Sequence, residues 1–141
     1  MPYATQADLE TRFGAAELER LTDRDGTAGG VVAAVVAAAL ARAEAEIDGY
    51  IASRVTLPLD PVPGTVGAWT CELARYYLHE DRVPDTVRQR YEDVMARLKD
   101  VAAGRLSLGQ GGGAATDPLS AGPVLIEAPE RALTRDSLKN W

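Results

Sequence analysis

The sequence predicts an all-α fold: a small helical bundle of three long helices preceded by short N-terminal helices, with an extended C-terminal arm. Three observations predict it. Apolar residues recur at spacings of three and four in every long segment up to Gly104, the repeat of one helix face. Alanine is abundant while aromatics make up only 6% of residues, which suits closely packed helices better than a thick sandwich core. Glycine and proline separate the periodic segments and then crowd the chain beyond Gly104, where helix is not sustained.

The elements follow in order. Thr5-Gln-Ala-Asp8 opens a short helix with a capping-box pattern, Asp standing in for the usual Glu or Gln. Leu9 and Phe13 share its apolar face. Gly14 interrupts, and Ala15–Leu21 forms a second short helix with Leu18 and Leu21 on one side. Thr22-Asp-Arg-Asp-Gly26 reads as a turn.

A long helix is expected from about Ala28 to Arg54, roughly 40 Å at 1.5 Å per residue. Its apolar positions are Val32, Val36, Ala39, Ala43, Ile47, Tyr50 and Ile51. Leu57-Pro-Leu-Asp-Pro61 ends it. Pro63 suits the first turn of the next helix, which runs to about His79 with Val66, Trp69, Leu73, Tyr76 and Tyr77 on its apolar side. Few charges interrupt it, so it is expected to be the central, most buried helix. Pro84 opens the third long helix, in which Val87, Tyr91, Val94, Leu98 and Val101 repeat at 4, 3, 4, 3. Gly104 stops it. The organisation expected is a helical body over residues 1–104 and a Gly-rich linker with an extended arm over 105–141.

In the arm, Gly109–Gly113 reads as a flexible hinge, and Pro118, Gly122, Pro123 and Pro129 break any long helix. Two apolar pieces interrupt it: the strand-like Val124-Leu125-Ile126, and Leu133, Leu138 and Trp141 toward the end. These six residues are the candidate contacts with a neighbouring subunit or partner. Extended at about 3.3 Å per residue, the arm reaches on the order of 100 Å, farther than the body itself.

Charge narrows the function. The net charge is −6, and residues 104–141 hold four basic and four acidic side chains. The whole deficit therefore lies on the body, which repels phosphate and argues against specific DNA binding. One cysteine, Cys71, gives no internal disulfide and fits a reducing compartment. The N-terminus has neither a basic nor an apolar leader region, so no signal peptide is expected. The longest apolar run, Val31 to Ala41, is shorter than the ~20 residues of a membrane span.

Candidates for chemistry are few, and no catalytic, cofactor-binding or metal-ligating set is expected. His79 is the only histidine and falls at a helix end, where a polar cap or helix-dipole partner is the plain reading. Cys71 sits mid-helix among apolar neighbours and reads as core. Asp23-Arg-Asp-Gly26 does not fit a calcium loop, since Ala28 and Ala34 stand where glycine and glutamate would be needed. A turn capping the long helix is expected instead. The glycines of 109–113 lack the Lys-Ser/Thr of a phosphate loop. Glu44/Asp48 and Asp81/Asp85 read as solvated pairs on helix faces.

Five short stretches in this order, Tyr3-Ala-Thr-Gln-Ala-Asp-Leu9, Leu21-Thr-Asp-Arg-Asp-Gly26, Ala45-Glu-Ile-Asp-Gly-Tyr50, Leu57-Pro-Leu59 and Ala74-Arg-Tyr-Tyr-Leu78, resemble the phage Mu-like head–tail connector family of tailed phages and prophages. The resemblance covers roughly residues 1–108, and Thr134-Arg-Asp-Ser-Leu138 also looks family-like. It implies a non-enzymatic structural subunit of the virion neck, made in the bacterial cytoplasm. Such subunits form a ring, commonly of twelve, at the portal protein and hand on to tail or stopper proteins. DNA passes through the lumen without specific binding, and no cofactor or membrane is involved. The other reading is a small regulatory adaptor module whose tail binds a partner protein.

Overall fold

A computed structural model of the chain describes residues 1–109, and they form five helices in order: α1 (Gln6–Phe13), α2 (Ala15–Thr22), α3 (Ala33–Ile51), α4 (Gly64–His79) and α5 (Asp85–Ala102). No strand occurs among the described residues. The all-α expectation holds. The arm residues Val124, Leu125, Ile126, Leu133, Leu138 and Trp141 lie outside the described residues, as does the hinge after Gly109.

α1 starts as its sequence predicts. The Thr5 hydroxyl accepts from the Asp8 N–H, and the Asp8 carboxylate accepts from the Thr5 N–H at 2.8 Å. This reciprocal cap satisfies two donors the helix itself leaves open. Gly14 ends α1 and begins α2 at once, which folds the two short helices into a corner.

α3 is shorter than expected, 19 residues and about 28 Å. Its start slips from Ala28 to Ala33 because the loop before it has its own hydrogen bonds. The Asp23 carboxylate accepts from the N–H groups of Thr27, Ala28 and Gly29 at 2.9–3.1 Å, and the Thr22 hydroxyl accepts from Val32 N–H at 3.0 Å. Asp23 thus caps the loop and not the long helix. At the other end Arg54 belongs to a turn closed by Arg54 N–H to Ile51 O at 2.8 Å.

Both later helices open behind a proline that serves as N-cap, Pro63 for α4 and Pro84 for α5, one position earlier than a first-turn proline. α5 closes in a Schellman motif. Gly104 N–H donates to Val101 O and Arg105 N–H to Asp100 O, with Gly104 at φ +75, a conformation glycine adopts without strain. A side chain there would also strike the Arg54 guanidinium, which caps Ala102 O at 2.9 Å.

α4 packs against each of the other four helices, as expected of the central element. It buries Val66, Trp69, Thr70, Cys71, Leu73, Ala74 and Leu78. Around it close Val36, Leu40, Ala43, Ile47 and Ile51 of α3 and Val94, Leu98 and Val101 of α5, with Leu9 and Leu18 covering the N-terminal side. The buried Thr70 hydroxyl donates to Val66 O at 2.9 Å, so its burial leaves no open donor.

Candidate interaction surfaces

The N-terminal strap is the first contact that the sequence does not advertise. Tyr3 N–H donates to Glu44 Oε1 at 2.7 Å and its phenol donates to Asp48. The Glu44/Asp48 pair is therefore not merely solvated; it is the receptor for Tyr3. Burial, then the Asp48 hydrogen bond, pushes the Tyr3 phenol up to about 12, so it stays a donor at neutral pH. Gly67 makes room for the strap: a Cβ there would lie 3.0 Å from Tyr3 O.

A cleft of about 330 Å³ opens between α2 and the end of α4, lined by Glu17, Arg20, Leu21, Arg75, His79 and Pro84. Arg75 spans it, donating to Glu17 through Nε at 2.7 Å and Nη2 at 3.1 Å, with its guanidinium 4.4 Å from the centre of the Phe13 ring. His79 Nε2 lies 3.9 Å from Glu17 Oε1, beyond hydrogen-bond reach, on a side chain only 13% exposed. Burial, reinforced by the Arg75 charge, holds the imidazole below its ordinary 6.5 and neutral at pH 7. The helix-end position predicted for His79 is met, but the ring faces α2 and not the solvent. With its carboxylate locked by Arg75, the cluster fastens α2 to α4.

The other chemical candidates are accounted for. Cys71 is buried, and burial pushes its thiol up to about 11, which keeps it protonated and unreactive. The Asp23 oxygens are occupied by backbone donors, Ala28 N–H foremost, which hold the carboxyl below its ordinary range. Among the described residues no group of three His, Cys, Asp or Glu stands where it would hold a metal ion, and no helix is long and apolar enough to cross a membrane.

A second hollow, about 180 Å³, lies where the start of α3 meets the end of α4. Val35, Ala38, Ala39, Tyr77 and Leu78 form its apolar wall, with Arg24, Arg42 and Glu80 around it. Arg24 is engaged, pairing with Glu80 and donating to Leu78 O at 3.1 Å. Arg42 instead lies 4.0 Å over the Tyr77 ring and has no carboxylate within ion-pair distance among the described residues. Tyr77 belongs to an aromatic cluster in which Tyr76 and Tyr91 stack at 4.0 Å. Burial, then the nearby Glu46 charge, pushes Tyr77 up to about 12.

The hollow is continuous with the outer face of α3. Residues Ala28 to Ala41 contain no polar side chain at all, and Ala33, Ala34, Val35, Ala37, Ala38 and Ala41 are exposed. Val35, at 36%, is one of three large exposed apolar residues described. The periodicity of the inner face was legible; this second, outward apolar face required knowing which side is covered.

Residues 3–126 match the family described as Bacteriophage Mu, Gp36. The chain belongs to that family. The match contains all five helices and runs on through Val124-Leu125-Ile126. Gene product J of Escherichia phage Mu is 33% identical over 135 residues, 96% of each chain. The Mu-like prophage FluMu protein gp36 of Haemophilus influenzae is 43% identical over 67 residues, a stretch spanning about half (48%) of each protein. The Gp36 family is one of Mu-like phages and prophages, which agrees with the coarser part of the resemblance read from the sequence.

Proposed function

We propose that this chain is a structural head–tail connector subunit of a tailed phage or phage-like particle. It assembles as a ring, of about twelve copies by the resemblance, at the portal vertex in the neck of the virion. The portal protein lies on one side and the tail or stopper proteins on the other. The observation that carries this reading is the match to the Mu Gp36 family along nearly the whole chain, arm included. Two physical features support it. The net charge of −6 lies on the body, so DNA can pass its lumen without being held by phosphate contacts. The uncharged outer face of the first half of α3 offers a surface that a second protein can cover.

The test is to mix the full-length chain with the portal protein of its own phage and image the product. A ring of this chain seated on the portal is expected. A chain that stays solitary beside the portal and every other neck component would overturn the proposal. Deleting residues 110–141 is expected to leave the helical circular dichroism of the body intact and to abolish ring or neck assembly. Tailed particles of normal yield after that deletion would remove the arm from the mechanism.

A further inference from the structure

The apolar hollow at the α3–α4 corner has no occupant within the body, and the chain itself supplies one of matching chemistry. Val124-Leu125-Ile126-Glu127 presents three aliphatic side chains followed directly by a carboxylate. The hollow presents an aliphatic wall, Val35, Ala38, Ala39 and Leu78, followed by Arg42 with no carboxylate partner among the described residues. At about 180 Å³ it is below the ~300 Å³ of ordinary small-molecule pockets but has room for an aliphatic side chain. The described body has no strand and thus no sheet edge to which an extended segment could add, so a helix face is what remains to receive it.

α5 ends beside Arg54, just beyond the C-terminal end of α3, where that side chain holds Ala102 O. The hollow lies near the N-terminal end of α3, about 24 Å away along the axis from Val35 to Ile51. In a ring, a segment given at one end of a copy and accepted at the other end of the next is the arrangement that closes a heterologous interface. The 14 residues from 110 to 123 extend to about 46 Å, enough to reach the hollow of the same copy or of a neighbour; the ring supplies the neighbour, and a cross-link between two different chains separates the cases.

We infer that the α3–α4 hollow is the docking site for residues Val124–Glu127 of the adjacent copy, with an aliphatic side chain against Val35 and Glu127 beside Arg42. This rests on the ring reading for the presence of a neighbour, and the test separates the two. Full-length chain carrying Val35→Cys is mixed with full-length chain carrying Leu125→Cys, with the portal protein present, and exposed to mild oxidation. A disulfide-linked heterodimer is expected. Arg90→Cys on the outer face of α5, paired with Leu125→Cys in the same way, is expected to cross-link at least about tenfold less, the discrimination of a 1.4 kcal/mol contact. Rings that assemble without the Val35–Leu125 cross-link, or with equal cross-linking to Arg90→Cys, overturn the docking site and leave the ring standing. A heterodimer that forms without any ring supports the docking site while overturning the ring. As a second readout, Arg42→Glu is expected to reduce ring yield about tenfold or more and Glu127→Arg to restore it; a double variant no better than Arg42→Glu alone removes Glu127 from the site.

Discussion

The outer faces of α3 and α5 make an instructive contrast. Both helices turn one side to the core and the other to solvent, and both are of similar length. α5 exposes Arg88, Gln89, Arg90, Glu92, Asp93, Arg97 and Lys99, the charged surface expected of a helix that ends in water. The first half of α3 exposes only alanine and valine until Arg42. Packing among the described residues demands nothing of either outer face, so those residues do not explain the difference. It teaches that α5 is finished as a surface and α3 is not.

That contrast requires the inner faces alone to hold the body together, which the largest expected effect tests. Trp69→Ala should destabilise the body by about 3 kcal/mol or more in denaturant unfolding, because it empties a site on the central helix. A loss below about 1 kcal/mol would mean that α4 is not the centre. Next, Glu17→Gln should cost about 1–2 kcal/mol, since it removes the charge that receives both Arg75 hydrogen bonds. A neutral result would mean that the Glu17–Arg75 pair does not hold α2 to α4.

Two glycines sharpen the comparison within helices. Gly49→Ala on α3 meets nothing and should raise stability by roughly 0.5–1 kcal/mol. Gly67→Ala has the same propensity gain, but its Cβ meets Tyr3 O at 3.0 Å, so no net gain should appear in the same unfolding experiment. Equal stabilisation at both would show that the Tyr3 strap is not seated on α4.

His79 gives the pH dependence. Its folded pKa is depressed, so the unfolded chain binds the proton more tightly. The contribution of this site is complete above about pH 6.5 and is lost as pH falls through the folded value. Unfolding followed between about pH 7 and 5 should show stability declining toward acid, and His79→Gln should flatten the decline. An unchanged slope would place the titration elsewhere. The smallest expected effect is the most diagnostic of the contrast: Val35→Asp on α3 and Arg90→Ala on α5 should each change the stability of the dilute chain by less than about 0.5 kcal/mol. A loss above 1 kcal/mol at Val35 would make the α3 face part of the fold.

Much of this fold was legible because it rests on local rules. The Thr5–Asp8 cap, the proline starts at Pro63 and Pro84, the Gly104 stop and the apolar seams of α4 and α5 are all written within a few residues of where they act. The start of α3 was misplaced because Ala28 to Val32 has helical composition, while the hydrogen bonds that hold it as loop come from Asp23 and Thr22. The surfaces were harder. Tyr3 with Asp48, Arg75 with Glu17 and Arg42 with Tyr77 join residues 35 to 58 positions apart, and no spacing rule relates such pairs. The exposed face of α3 was hidden for another reason: an all-apolar helix start does not say which of its sides is covered.

The joint between Arg54 and the end of α5 has a mechanical consequence. A pull on the chain beyond residue 109 does not act on a free helix end. It meets the Schellman turn, the Arg105–Asp100 ion pair and the Arg54 clamp on Ala102 O in succession. The load therefore passes into α3 as well as α5, and two long helices share a tension that would otherwise unravel the last turn of one.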